Sequence, residues 1–150
     1  MSIHQYLSAI LLAVVVSLGL VNSVHAEDET ATEQIHQLVI QINSDSMDEQ
    51  DHVLSNIVNL QKYYGLDNIE IEVVAYGSGI WLVTDKSNFA NRVESLMMQN
   101  VVFTACGNTM DSVEAKSGAR PTLLDGVEIT KAGIARIIEL QEQGWSYLSP

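Results

Sequence analysis

Basic residues are scarce, 7 lysines and arginines against 19 aspartates and glutamates, for a formal net charge of −12. A field of that sign repels phosphate backbones and anionic lipid headgroups, so neither nucleic acid nor an anionic membrane surface is an expected partner. Cysteine occurs once, at Cys106. A single thiol closes no internal disulfide and forms no Cys-x-x-Cys redox pair. Beyond residue 26 the only histidines are His36 and His52. Neither stands at metal-ligand spacing from the other or from Cys106, so no metal and no cofactor are expected. A Cys-His nucleophilic pair would need His36, or His52 on the helix after the first strand, beside Cys106. No Gly-Lys-Ser/Thr follows the glycines of Gly77-Ser78-Gly79, and no Gly-x-Ser-x-Gly elbow exists, which excludes a P-loop and the usual serine-hydrolase turn. The chain has no internal repeat and no low-complexity stretch.

The first 26 residues contain no Asp, Glu, Lys or Arg. Ile10 to Val21 is a mostly apolar run, Val24-x-Ala26 is a small-residue cleavage signature, and Glu27-Asp28-Glu29 opens a polar segment. This pattern reads as a secretory signal peptide over residues 1–26, although its n-region lacks the usual basic residue. The run falls short of the ~20 apolar residues that cross a bilayer. A looser count from Tyr6 to Val24 approaches that length, so an uncleaved N-terminal anchor is the alternative. No cysteine follows the run, which excludes lipid attachment there. The expected location is periplasmic, with no membrane association once the leader is removed.

Residues 27–36 are polar, without periodicity, and read as a flexible lead-in to one domain over residues 37–150. Gln37 to Asn43 is a first strand, apolar on both faces as a central parallel strand is. Ser46-x-x-Glu49 is a capping-box pattern for a helix carrying Val53, Leu54, Ile57 and Val58, which ends at Gly65. Ile69 to Ala75 is the second strand, with Glu70 and Glu72 on the face opposite Ile71 and Val73. A loop, Tyr76-Gly77-Ser78-Gly79, leads into apolar Ile80 to Val83. Phe89, Ala90, Val93, Leu96 and Met97 mark a second helix ending near Asn100. Val101 to Ala105 is the third strand, and a short polar helix follows from about Asn108 to Ala115. Val127 to Ile129 supplies a fourth strand. Thr130 is the expected N-cap of a helix whose Ile134, Ile137, Ile138 and Gln141 share a side and which Gly144 closes. Trp145 to Leu148 offers a short last strand. The alternation predicts a three-layer α/β/α sandwich on a mostly parallel sheet of four to five strands.

Parallel sheets gather chemistry at the carboxyl ends of their strands. There the sequence places Cys106 as candidate catalytic residue, with candidate binding residues Asn43, Ser44, Asp45, Tyr76, Gly77, Ser78, Gly79, Gly107, Asn108 and Thr109. A thiol facing the free amides of a helix N-terminus is biased toward thiolate. Asp45 nearby would oppose that bias, and Lys116 or Arg120 folding back would favour it. The competing expectation is a small buried packing residue, the commonest fate of a free cysteine.

Three segments carry a resemblance: Val74-Ala75-Tyr76-Gly77-Ser78-Gly79-Ile80, Phe103-Thr104-Ala105-Cys106-Gly107-Asn108-Thr109-Met110, and Ala132 to Pro150 with Trp145-Ser146-Tyr147-Leu148. Together they resemble the DsrE/DsrF-like family over nearly all of the chain from the first strand onward. The resemblance implies a parallel α/β fold assembled as homotrimers or homohexamers. In sulfur-relay members a cysteine after the third strand carries a persulfide, a role that would fall on Cys106. It further implies a sulfur donor or acceptor protein as partner and activity as a sulfurtransferase or sulfur carrier. The export signal departs from those members. The alternative function is a non-catalytic oligomeric binding or accessory module with a small-ligand or peptide site at the sheet edge.

Overall fold

The computed structural model describes residues 35–150, so the leader and most of the lead-in lie outside the described residues. Five strands form one sheet in the order β4-β3-β2-β1-β5, and every neighbouring pair is parallel. The strands are β1 His36–Ile42, β2 Ile69–Ala75, β3 Val101–Cys106, β4 Glu128–Thr130 and β5 Ser146–Leu148. Helices α1 Met47–Tyr64, α2 Ala90–Met97, α3 Gly107–Ser117 and α4 Gly133–Glu142 connect them. A 3-10 helix, Gly77–Val83, replaces the expected loop after β2. Among the described residues no helix is long and apolar enough to cross a membrane.

Local signals explain most boundaries. The Ser46 hydroxyl accepts the Glu49 N–H at 3.4 Å, satisfying one of the amides that a helix start leaves free. Gly65, at φ 89°, ends α1 in a conformation that an L side chain rarely adopts. The expected Thr130 cap is corrected. Thr130 is instead the last residue of β4, paired with Cys106, and α4 begins at Gly133 with no side-chain cap. The buried face of the helix also differs from the expected one. Ile137 is 5% exposed and packs inward with Leu140, whereas Ile134 and Ile138 are each 50% exposed and Gln141 lies in solvent.

The two faces of the sheet differ. On one, Ile40, Ile42, Ile71, Val73, Phe103 and Ala105 pack against α1, α2 and the 3-10 helix in a large apolar core. On the other, α4 crosses β1, β2 and β3 and buries a small cluster of Val39, Val74, Ile137 and Leu140. A right-handed crossover accounts for this split: β1 to β4 advance in one direction, and the return from β4 to β5 must run over the opposite face. Cys106 is two residues beyond Thr104 on β3, so its side chain points to the α4 side.

Candidate functional site

The turns after β1, β2 and β3 meet at the carboxyl edge of the sheet. The Tyr76 N–H donates to the Ile42 carbonyl at 3.0 Å, and the Ser78 hydroxyl donates to the Asn43 carbonyl at 3.0 Å, which ties the second turn to the first. Gly79 lies so close that a Cβ there would stand 2.3 Å from the Ile42 carbonyl oxygen, so only glycine fits. The Gly77 N–H donates to the Thr109 hydroxyl oxygen at 3.1 Å, which ties the second turn to the third. The Asn108 N–H donates to the Lys131 carbonyl at 3.1 Å and brings in the segment before α4. Gly107 belongs to the same junction, where an added Cβ would stand 3.0 Å from the Thr130 carbonyl oxygen.

Cys106 closes β3 and stands at the N-terminus of α3, 6% exposed. Its sulfur accepts the Gly133 N–H, the first amide of α4, at 3.2 Å. Gly133 is tightly enclosed: a Cβ would meet the Cys106 Cβ at 3.2 Å and both Tyr76 Cβ and Val74 Cγ1 at 3.3 Å. Burial pushes the thiol up, but the Thr109 hydroxyl and then the amides of Gly133, Thr109 and Asn108 outweigh it, and the thiol lies below its ordinary value. Neither Asp45 nor a basic side chain is among the groups that act on it. Arg120 is held instead by Asp111 and Glu114 of α3.

The first turn divides. Asn43 joins the site: its side-chain amide reaches the Tyr76 hydroxyl at 3.4 Å, and that hydroxyl donates to Gln41 Oε1 at 2.8 Å. Burial, and then the neighbouring Tyr147, hold the Tyr76 phenol above its ordinary value, so it serves as a donor. Ser44 is turned to helix duty, its hydroxyl accepting the Ser46 N–H and its carbonyl the Gln50 side-chain amide. Asp45 is exposed. Beside Thr109 opens a hollow of about 430 Å³ lined by Gly77, Ser78, Trp81, Asn108, Ser112 and Lys116, among others. Among the described residues no three His, Cys, Asp or Glu side chains gather as a metal group would.

Sequence reasoning missed two contributors. Gly133 has no role of its own in the sequence pattern, yet a glycine in the first turn of an apolar helix signals close packing. Glu72 alternates with Glu70 on what reads as a polar strand face, but it is 2% exposed, held by Arg136 and by the Thr104 hydroxyl at 2.8 Å. An acidic residue inside an apolar central strand is a sign of such a partner.

The comparisons agree with this architecture. A protein from Methanobacterium thermoautotrophicum, described as of unknown function (MTH1491), is similar at 31% identity and a TM-score of 0.69, over 77% of this chain and 99% of its own. A conserved protein of unknown function from Bacteroides thetaiotaomicron (BT1422) shares the fold at 17% identity and a TM-score of 0.54, over 76% and 94% of the two chains. The ychN protein of E. coli does so at 15% identity and a TM-score of 0.56, over 78% and 99%. No curated protein matches the chain. The family model of the DsrE/DsrF-like family, which is linked to sulfur metabolism in general, matches residues 36–150. From β1 through its final residue, this chain therefore belongs to the DsrE/DsrF-like family.

Proposed function

We propose that the protein handles sulfane sulfur, with Cys106 accepting a sulfur atom as a persulfide and passing it on. The observation that carries this reading is the setting of the sulfur. It lies at a strand-to-helix junction and accepts an N–H at 3.2 Å, with a hydroxyl and further amides favouring its charged form. Thiolate is the nucleophile in such chemistry. It attacks the terminal sulfur of a polysulfide dianion, a bond forms between Cys106 Sγ and that sulfur, and the adjoining S–S bond breaks. The electron pair leaves with the shortened polysulfide, so no outside oxidant is needed. Transfer reverses the roles: an acceptor thiolate attacks the outer sulfur and the Cys106 thiolate departs.

The same reading includes a homo-oligomer, a trimer or a multiple of one, located in the periplasm. Parallel sheets are ordinarily covered on both faces. Here α4 leaves an open trough of about 510 Å³ on its side, lined in part by Leu66, Glu70, Val102 and Trp145, with exposed Ile134 and Ile138 on the helix beside it. The trough also carries Asp67, Glu72, Glu128 and Arg136, so a second copy seated here would cover a mixed surface, with Ile134 and Ile138 as its apolar part. Export is supported by the apolar run and Val24-x-Ala26 of the leader.

The deciding experiment is intact mass before and after incubation with polysulfide. A gain of one sulfur atom by the wild type, absent in Cys106→Ser and reversed by a thiol reductant, is the expected result. A wild type that gains no sulfur favours the second reading, a non-catalytic accessory module. The observation on that side is the 6% exposure of Cys106, which suits a packing residue.

A further inference from the structure

We infer that Arg136 and Glu72 are positioning residues for the Cys106 sulfur, their contact holding the Gly133 amide in place as its donor. This rests on Cys106 being the reactive group. The links form a closed ring. The Gly133 N–H, the first of α4, donates to Cys106 Sγ at 3.2 Å. One turn on, the Arg136 N–H donates to the Ala132 carbonyl at 3.1 Å, which closes the first turn around Gly133. The Arg136 guanidinium then reaches Glu72 of β2 through two bonds, Nε to Oε1 at 3.0 Å and Nη2 to Oε2 at 2.7 Å. Glu72 Oε1 also accepts the Thr104 hydroxyl at 2.8 Å, and Thr104 stands two residues before Cys106 on β3. The ring therefore begins and ends on the strand that carries the thiol.

A directional contact matters here because the apolar one is slight. The cluster of Val39, Val74, Ile137 and Leu140 under α4 is far smaller than the core on the opposite face. Apolar contact is non-directional and does not by itself fix where along the sheet a helix starts. A hydrogen bond weakens steeply with angle and distance, so the amide serves the sulfur only from one place. The planar fork of an arginine on a carboxylate fixes both direction and reach. Glu72 is shut off from solvent, and its carboxylate is costly to leave without the guanidinium. The other charged groups acting on Arg136 are Glu139 on α4 and Glu128 on β4. No charged side chain is among the groups that act on the thiol, so the pair works through the amide that it places.

The test is the pH dependence of iodoacetamide alkylation of Cys106 in the full chain, for wild type, Arg136→Met, Glu72→Leu and Arg136→Lys. The midpoint reads the charge on the sulfur, and the plateau above it reads access. Arg136→Met and Glu72→Leu are both expected to move the midpoint to higher pH. Alkylation below the wild-type midpoint should slow about tenfold, as loss of a bond to a charged group predicts. A purely electrostatic effect would move the two in opposite directions, since one removes a cation and the other an anion. Arg136→Lys keeps the charge and loses the fork, so it is expected to shift the same way by less, and it takes the place of Arg136→Met where that variant is insoluble. Opposite shifts, a midpoint that overlays the wild type in either variant, or a plateau that rises with no shift of midpoint each overturn the inference. So does a wild type whose Cys106 resists the reagent at every pH tested. Persulfide loading from polysulfide is scored separately on the same samples. A wild type that takes up no sulfur while both variants still shift removes the sulfur-handling reading and leaves the positioning role standing.

Discussion

Arg136 spans both oxygens of Glu72, with Nε 3.0 Å from Oε1 and Nη2 2.7 Å from Oε2. The carboxylate is almost wholly buried in the central strand β2, and the pair fixes α4 three residues after Gly133, whose amide meets the Cys106 sulfur. An ion pair in the sheet thus sets the place of a helix start at the site.

Breaking that pair from one side leaves a buried carboxylate with only the Thr104 hydroxyl for a partner. Arg136→Met is expected to cost about 3 kcal/mol, the low end for a broken buried pair, since part of the guanidinium stem faces solvent. Glu72→Leu combined with Arg136→Met should recover most of the loss, because a packed apolar pair needs no desolvation of charge. Urea denaturation of the single and double variants measures both values. A neutral Arg136→Met would show that the pair adds nothing to stability.

At Gly133 the expected effect is both structural and chemical. The Cβ of Gly133→Ala would press on Cys106, Tyr76 and Val74, so these neighbours or the first turn of α4 must give by a few tenths of an ångström. A cost of about 1 to 3 kcal/mol follows from overpacking, with a rise of the thiol pKa as the amide leaves the sulfur. Denaturation and the alkylation profile read the two effects on one sample. A stable variant with an unchanged profile would mean that the amide is not a determinant of the thiol.

These features mark where the sequence was legible. Helix α1 could be placed from Ser46 to Gly65 because its cap, its apolar spacing and its stop are all local. Cys106 could be placed at a strand end because five apolar or small residues precede it and Gly107-Asn108-Thr109 follows. The Gly133 contact is not local: it joins residues 27 positions apart, and only the crossover of α4 brings them together. Glu70 and Glu72 alternate as a solvent-facing pair would, and only the same crossover, carrying Arg136, buries Glu72. The face that α4 buries also departed from its local pattern. Thr130 before an apolar run has the form of a cap, but pairing of β4 with β3 claimed it for the sheet, and Ile134 and Ile138 were left outside.

Ile134 and Ile138, one turn apart on α4, are the expected anchors of the assembly proposed above. Light scattering of the wild type at micromolar concentration is expected to give the mass of a trimer or a multiple of one. Ile134→Asp combined with Ile138→Asp should lower it to that of a single chain, since two carboxylates would be desolvated in the contact. A monomeric wild type would remove the assembly, and an unchanged mass in the double variant would place the contact elsewhere.

The last prediction links the thiol to stability. Because the folded protein holds Cys106 below its ordinary value, the folded state releases the proton at a pH where the unfolded chain still binds it. Stability rises with pH wherever the unfolded state binds more protons. The stabilisation from Cys106 should therefore be absent below the folded midpoint, grow as pH rises from there to the ordinary thiol value, and stay level above it. Fall in pH through the folded midpoint removes it. Subtracting the unfolding free energy of Cys106→Ser at each pH isolates this contribution from that of every group the two proteins share. Thr109→Val should narrow the window from its lower end, because losing the hydroxyl lifts the folded midpoint toward the unfolded one. A difference that stays flat across the window would mean that the folded protein does not favour the thiolate. Cys106 would then be the packing residue that its burial alone suggests.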